Sequence, residues 1–302
     1  MPVGRGTVLI GGGTGFIGTH LCKLLQSKNY DVKIISRMPG AKHMTWHDLE
    51  KYGIPSGTQA VVNLAGQNVL DPMKRWTAGF KQNVWNSRIR TTMSLTEAII
   101  NTRERPKAYV TISGVGIYKP STSVEYSEDH QQEEFDFFSK LCIAWENSAK
   151  LPENVLDCRQ VTIRSGVVLG KNGGMIKQLY IPFYLGVGGP IGNGEQYLPW
   201  IHIDDISRLI LFAIETDGLK GKLNGVAPQV ITNKEFTNSF ASALWRPAVI
   251  PLPKSIVNFI FSEERAKMIT EGQKVIPKRT QAVGFNYVFP DINSACEELV
   301  QS

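Results

Sequence analysis

Residues 7–18, with the sequence TVLIGGGTGFIG, limit most strongly what this chain can fold into. The apolar and β-branched residues 7–10 predict a strand, the closely spaced glycines a tight turn, and the apolar periodicity of residues 16–25 a helix. This order is typical of a nucleotide-binding βα unit, although an ordinary βα turn can show the same glycine spacing.

The glycines in this stretch have separate expected roles. A turn this tight needs a residue with positive φ, a diphosphate can approach the backbone only where no Cβ intervenes, and the helix must pack closely on its strand. The N–H groups at the start of the helix would then face the diphosphate. We therefore predict a cofactor-binding turn formed by Gly12, Thr14, Gly15, Phe16, Ile17 and Gly18.

The second predicted strand, residues 31–36, ends about 20 residues beyond the turn, where such folds distinguish NAD from NADP. An acidic residue there would bind the ribose 2′-hydroxyl of NAD. Ser36 and Arg37 instead present a hydroxyl and a permanent cation, which suit a 2′-phosphate. We predict NADP as the cofactor, the alternative being that Arg37 is a solvated surface residue.

Strand and helix patterns alternate along the chain. Strands are expected at residues 60–66, 108–113 and 155–165, and helices at 79–101 and 135–150. Because the strands are continuous apolar runs, we predict an α/β fold with a doubly wound parallel sheet that binds ligands at the carboxyl ends of its strands.

Composition excludes several classes of protein. With 302 residues, 42% hydrophobic and 20% charged, the chain is expected to be globular rather than disordered or fibrous. Its net charge of +6 is spread along the sequence without a basic block, which predicts no nucleic-acid partner and a mild attraction for anionic ligands.

Neither the cysteines nor the histidines have the spacing of a metal site. Cys22, Cys142, Cys158 and Cys296 are far apart and are expected to be buried, reduced thiols. His43 and His47 are four residues apart without an acidic or cysteine partner, so we predict no metal.

The first strand begins at about residue 7 and no apolar run reaches membrane-spanning length. These features predict a cytoplasmic protein without membrane contact. An uncleaved internal targeting segment, for example mitochondrial, is also compatible with the sequence.

Five motifs, in this order, resemble those of the extended short-chain dehydrogenase/reductases. They are Gly12-x-x-Gly15-x-x-Gly18, Asn63-Leu64-Ala65-Gly66, and residues 113–118, 164–170 and 200–205. Residues 188–192, 200–202 and 271–277 resemble more closely the atypical subgroup of epimerase family proteins, which includes bacterial relatives described as cell-division-inhibitor-like.

This resemblance implies a Rossmann domain for NADP and a smaller C-terminal α+β cap domain. The first would comprise residues 1–172, completed by about 200–228, and the second residues 173–199 and 229–302. It also implies further cofactor contacts from Leu64, Ala65, Gly66, Asn83, Arg88 and Val168, with Arg88 alternatively a solvated helix residue.

In this superfamily a Ser or Thr polarises a carbonyl, a Tyr transfers the proton, and a Lys four residues later lowers the pKa of that Tyr. Ser113 matches the first role and Lys140 the third, but Asp136 occupies the tyrosine position. Tyr118 or Tyr126 could replace the missing donor, with Tyr118 otherwise packing at the mouth of the pocket. Alternatively, Asp136 and Lys140 form a helical i,i+4 pair, or the protein binds NADP without turnover. The catalytic candidates are Ser113, Tyr118 and Lys140.

The remaining expectations concern the C-terminal half. Asp204 and Asp205 are predicted to cap a helix, residues 176–199 to form a pocket wall and lid, and residues 249–261 to belong to the core of the cap domain rather than to a partner surface. Lys171, Lys177 and Lys254 are candidate ligands for a substrate diphosphate.

Three functions are consistent with these features. The first is an NADP-dependent oxidoreductase for an unidentified small carbonyl or hydroxyl substrate. A homodimer is compatible with the sequence. The others are a cofactor-sensing NADP-binding protein with little turnover and a sugar-nucleotide epimerase.

Overall fold

The computed structural model describes residues 5–37, 40, 43–155 and 157–301. Its strands are β1 (Thr7–Gly11), β2 (Asp31–Ser36), β3 (His43–Thr45), β4 (Thr58–Asn63), β5 (Ala108–Gly114), β6 (Glu125–Tyr126), β7 (Arg159–Ser165), β8 (Val167–Leu169), β9 (Trp200–His202), β10 (Gly221–Gly225) and β11 (Lys274–Val275). Its α-helices are α1 (Phe16–Ser27), α2 (Trp46–Tyr52), α3 (Ala78–Asn101), α4 (Phe137–Ser148), α5 (Gly174–Tyr184), α6 (Ile203–Glu215), α7 (Asn233–Ala243), α8 (Lys254–Phe261), α9 (Glu263–Thr270), α10 (Lys278–Ala282) and α11 (Ile292–Val300).

Seven strands of the described residues form one sheet in the order β10-β7-β5-β4-β1-β2-β3, and every neighbouring pair is parallel. In this register Gly11 lies opposite both Ile35 and Asn63, so the turns after β1, β2 and β4 meet at one edge. This sheet confirms the predicted doubly wound α/β fold and places three predicted cofactor segments side by side.

Strand residues alternate between the two faces of the sheet. Val8, Ile10 and Val62 pack with α1 and α6 on one face, while Leu9, Val61 and Tyr109 pack with α2 and α3 on the other. Both faces are therefore covered, which explains why these strands are apolar along their whole length.

A second apolar cluster lies outside the main sheet. It joins Ile176 and Phe183 of α5, Phe236 and Phe240 of α7 and Leu299 of α11. The domain limits predicted from the sequence stay a prediction.

Helix α6 is capped differently from the prediction. His202 is the N-cap, and its Nδ1 accepts the N–H of Asp204 at 3.3 Å. Asp204 instead pairs with Nε2 of His20 at 2.7 Å, and Asp205 accepts the N–H groups of Val288 and Phe289. The capping roles predicted for Asp204 and Asp205 are therefore wrong, because both carboxylates bind more distant segments.

Helix α8 corrects a second prediction. Of the apolar residues assigned to a core there, Val257 is buried, but Ile256 and Ile260 are each 45% exposed and Phe259 is 91% exposed. The helix lies at the surface with most of its apolar side chains facing outward.

The four cysteines are free and buried, which confirms that expectation. No helix in the described part of the chain combines the length and the apolar character needed to cross a membrane.

Candidate cofactor site

The turn after β1 has no room for side chains. Gly12 has a φ of +79°, and a Cβ added there would lie 2.7 Å from the backbone nitrogen of Ala65. A Cβ at Gly18 would lie 2.3 Å from the carbonyl oxygen of Gly12. The glycines therefore allow the positive φ and the close helix packing that the sequence predicted, and Gly12 also packs against the turn after β4.

The first turn of α1 presents unpaired backbone donors. Gly15 is the N-cap and provides no side-chain cap, while the first N–H that bonds back across the helix is that of Thr19, to the oxygen of Gly15 at 2.9 Å. Thr14 and Gly15 are exposed, and Phe16 and Ile17 are partly exposed. This helix end can accept an anion through its backbone alone.

The chain just after β2 lies at the same edge of the sheet. Ile35 pairs with Gly11, so Ser36 and Arg37 follow directly beside the glycine turn. Arg37 is exposed. The structure thus places the backbone of Arg37 beside the predicted diphosphate turn.

A buried asparagine shapes the turn after β4. Asn63 accepts the N–H of Ala65 through Oδ1 at 3.1 Å and donates through Nδ2 to Oγ1 of Thr92 at 2.8 Å. The sequence analysis assigned no role to Asn63. Its position, as a polar residue at the end of an otherwise apolar strand, could have indicated this hydrogen-bonding role.

Arg88 lies beneath this turn rather than in solvent. Its guanidinium stacks on Trp145 at 5.1 Å and donates to the carbonyl oxygens of Gln67 and Val84, and a Cβ at Gly66 would lie 3.1 Å from its Cζ. Burial lowers the pKa of Arg88 to about 10. Among the described residues no carboxylate pairs with it, so its charge is available to an anionic ligand.

Two of the predicted cofactor contacts, Asn83 and Val168, differ in their exposure to solvent. Asn83 lies on α3 and is exposed, whereas Val168 is partly buried in β8, paired with Ile201. The cofactor roles of both residues stay predictions.

Ser113 and Tyr118 belong to one buried hydrogen-bond network. Ser113 Oγ donates to Glu146 Oε1 at 2.8 Å, and Arg164 donates to both oxygens of Glu146 at 2.8 and 3.0 Å. Arg164 Nη1 also donates to the Tyr118 hydroxyl at 2.8 Å, and that hydroxyl lies 2.8 Å from Asn224 Oδ1. The ion pair thus joins two of the three catalytic candidates, Ser113 and Tyr118.

Opposing effects act on the charged groups of this network. Burial alone would raise the pKa of Glu146, but hydrogen bonds from Arg164 and Ser113 lower it below its ordinary value. Burial likewise opposes the charge on Arg164, yet the Glu146 carboxylate raises the pKa of that guanidinium. Both groups therefore stay ionised.

Tyr118 is enclosed rather than placed at the mouth of a pocket. It is 2% exposed, and its ring stacks on Tyr126 at 5.1 Å. Its hydroxyl has partners in Arg164, Asn224 and the carbonyl oxygen of Ser127, and burial raises the pKa of the phenol. The alternative that Tyr118 packs at the pocket mouth is wrong. Its role as a proton donor stays a prediction.

The side chains of Asp136 and Lys140 do not pair with each other. The Asp136 carboxylate accepts the N–H of Ser139 at 2.7 Å, which makes it the N-cap of α4 and starts that helix at Phe137 rather than at residue 135. Lys140 is exposed, and no ion pair joins it to Asp136 in the part of the chain described. The predicted i,i+4 pair is therefore wrong. The catalytic role of Lys140 stays a prediction.

Two other expectations concern ions and anionic substrates. In the described residues, no group of three or more His, Cys, Asp or Glu side chains is arranged to hold a metal. Lys171, a candidate for binding diphosphate, pairs with Glu298 at 3.5 Å and with the carbonyl oxygen of Gln301.

The chain is similar to known proteins along most of its length. Residues 8–224 match the NAD dependent epimerase/dehydratase family, and residues 252–299 match a domain of unknown function, DUF1731. The chain is 49% identical over 294 residues to epimerase family protein SDR39U1 of Bos taurus, covering 97% of this chain and 99% of that protein. It is 32% identical over 297 residues to epimerase family protein YfhF of Bacillus subtilis, covering 96% of each.

A crystal structure of human epimerase family protein SDR39U1 (isoform 2) with NADPH superimposes with a TM-score of 0.95 at 48% identity, covering 97% of this chain and 98% of that one. These matches confirm the resemblance predicted from the motifs. The chain belongs to the NAD-dependent epimerase/dehydratase family of the short-chain dehydrogenase/reductase superfamily.

Proposed function

We propose that this chain binds NADP(H) at the carboxyl edge of its sheet. The observation that carries the proposal is the contact between the Gly12 turn and the Leu64–Ala65 backbone, where a single added Cβ would fill the space. The NADPH present in the human relative supports the same ligand.

Two cations at this edge favour a ligand with several phosphates. Arg37 follows β2 beside the turn, where the 2′-phosphate of the adenosine half would lie. Arg88 provides a partly buried charge beneath Gly66. Helix α1 supplies backbone donors between them, so the diphosphate needs no further lysine.

Calorimetry with NADPH and NADH tests both parts of this proposal. Arg37→Ala should lower the ratio of NADPH to NADH affinity about tenfold or more, because a charge-assisted hydrogen bond contributes about 1.5–3 kcal/mol. Arg90→Ala, which removes an exposed cation from α3, is the matched control and should leave the ratio unchanged. No heat with either nucleotide from folded protein would refute cofactor binding, whereas an unchanged ratio would refute the role of Arg37 alone.

A second candidate function is reduction of a carbonyl substrate or oxidation of an alcohol. It is favoured by a polar path that runs from Ser113 through Glu146 to Nζ of Lys222, which lies 3.5 Å from Glu146 Oε2 and is 44% exposed. NADP(H), when bound, would supply the hydride chemistry. Ser113 would orient the reacting oxygen, and the path would connect it to solvent.

The hydroxyl variants distinguish turnover from binding alone. In a screen of carbonyl and alcohol substrates, Ser113→Ala should lower any turnover about 100-fold with NADPH affinity unchanged, in line with general acid–base contributions. Tyr118→Phe should lower it similarly if that phenol is the donor, Tyr126→Phe tests the alternative donor, and Tyr52→Phe, at a 69% exposed position on α2, is the control. Turnover that is unaffected by both Ser113→Ala and Tyr118→Phe would contradict this candidate and leave a cofactor-binding protein. Product epimers from a sugar nucleotide would instead indicate the third function.

A further inference from the structure

Large apolar side chains are exposed along two segments of the C-terminal half. Trp245 and Phe259 are 89% and 91% exposed, more than almost any other large apolar side chain described. The other members are Ile181, Tyr184, Leu185, Val187, Val249, Ile250, Ile256 and Ile260, each at least 45% exposed. We call these ten residues the apolar face.

Both helices on this face turn apolar side chains outward. On α8, Ile256, Phe259 and Ile260 follow the i, i+3, i+4 spacing of one helix side, and that side is exposed while Val257 is buried. At the end of α5, Ile181, Tyr184 and the C-cap residue Leu185 have the same i, i+3, i+4 spacing and are also exposed. In a chain without a partner, these sides would be expected to face a core.

Contacts join the two segments into one surface. Arg246 donates from Nε to the Tyr184 carbonyl oxygen at 2.8 Å, and its guanidinium lies 5.2 Å from the Tyr184 ring. The segment after α5 then pairs with the segment before α8 through Leu252, whose N–H donates to Pro190 and whose oxygen accepts from Gly192. Helix α8 follows directly.

The charge of these segments has one sign. Residues 174–194 and 236–262 contain no Asp or Glu, and their charged residues are Lys177, Arg246 and Lys254. Lys254 packs against Gly192, where the two segments pair. The cations therefore lie within the two segments, and the next carboxylates along the chain, Glu195, Glu235 and Glu263, lie directly outside them.

We propose that the apolar face binds the surface of a membrane that contains anionic phospholipids. Aromatic rings and flanking cations are the side chains that enter the lipid headgroup region, and the cations within the two segments, Lys177, Arg246 and Lys254, complement anionic lipid. A second copy fits less well, because the charged residues within the two segments are all cations and would face their own counterparts. The expectation of no membrane contact was based on the lack of long apolar runs, whereas this face is assembled from two segments. The proposal is independent of the cofactor site.

Cosedimentation of the full chain with phospholipid vesicles tests this proposal. The protein should sediment with vesicles of phosphatidylcholine mixed with phosphatidylserine, sediment less with phosphatidylcholine alone, and be released as salt is raised. Trp245→Ser and Phe259→Ser should each weaken partitioning about tenfold, which corresponds to the loss of one buried aromatic side chain. Tyr52→Ser, which removes a 69% exposed ring from α2, is the control and should partition like the unaltered chain.

Three results would overturn the proposal. They are no sedimentation with anionic vesicles, an equal loss for Tyr52→Ser, and a stable dimer in sedimentation velocity that Phe259→Ser converts to monomer. Retained NADPH binding by the Trp245 and Phe259 variants would show that they fold, so a loss of partitioning would be due to the apolar face itself.

Discussion

Single backbone positions decide whether the cofactor turn can form. At Gly12 the positive φ and the 2.7 Å approach of Ala65 act together, so a side chain there is strained and also displaces the neighbouring turn. The motif predicted a glycine with positive φ in this turn, because the spacing of glycines depends directly on backbone geometry.

Gly12→Ala should weaken NADPH binding at least about tenfold and lower the free energy of unfolding by about 1–3 kcal/mol. Gly79→Ala is the control, since nothing lies within 4 Å of an added Cβ there and alanine favours helix α3. Calorimetry and urea unfolding give both quantities. Equal NADPH affinity in the two variants would contradict the proposed contact.

The ion pair between Glu146 and Arg164 makes a different prediction. Arg164→Met should destabilise the fold by about 3–5 kcal/mol, because it leaves a buried carboxylate without its partner. Arg105→Met removes an exposed pair with Asp157 and should cost less than about 1 kcal/mol. Similar urea midpoints for both variants would show that the buried charge is compensated elsewhere.

The same pair predicts a pH dependence. Because the folded-state pKa of Glu146 lies below its ordinary value of 4.5, its contribution to stability is fully present above that pH and is lost as the pH falls through the folded-state pKa. In urea unfolding from pH 7 to pH 3, the Arg164→Met variant should lose less stability on acidification than the unaltered chain. A parallel decline in both would contradict this assignment.

At the scale of elements, α4 shows how one residue can resemble a catalytic position and serve another purpose. Asp136 matches the family's tyrosine position in sequence, yet its carboxylate caps the helix that carries Glu146. The periodicity of its apolar residues predicted that helix α4 exists. The start at Phe137 depends on a side-chain cap and could not be deduced from periodicity alone.

Asp136→Ala should cost about 1 kcal/mol of unfolding free energy, as the loss of an N-cap usually does, and leave NADPH affinity unchanged. Asp129→Ala, at an exposed site that pairs with Lys278, is the control and should be nearly neutral. Urea unfolding and calorimetry measure both effects. A large loss of NADPH affinity in Asp136→Ala would instead place this carboxylate beside the cofactor.

Sequence patterns predicted the elements with strong local signals and missed contacts between distant segments. The β1 turn, the parallel sheet and the Arg37 position follow from spacing along the chain. The pairing of Arg164 with Glu146 and the outward side of α8 depend on which segments meet, and periodicity cannot distinguish a buried apolar helix side from an exposed one.

In the whole molecule, a buried arginine fixes the C-terminal region to the cofactor half. Arg265 of α9 is 1% exposed and donates to the carbonyl oxygens of Val69 and Asp71 at 3.1 Å, close to the Trp76 ring. Glu264 binds Trp76 Nε1 at 2.7 Å. The chain between β4 and α3 is thereby held against α9.

Arg265→Met should release this connection while the sheet stays folded, because the carbonyl groups of Val69 and Asp71 lose their donor. Hydrogen exchange in residues 69–77 and 263–270 should accelerate about tenfold or more, with β1, β4 and β5 unchanged. Lys267→Met, at an exposed position on the same helix, is the control. Uniform acceleration across the sheet would indicate global destabilisation instead.

The burial of all four thiols has a consequence for studying this chain in solution. Burial raises the pKa of Cys22 to about 11 and that of Cys142, Cys158 and Cys296 to about 12, so almost no thiolate exists in the native state near neutral pH. Alkylating reagents should therefore modify the protein only during opening events. Because the cysteines lie on different elements, the order in which they are labelled would reveal which part of the molecule opens first.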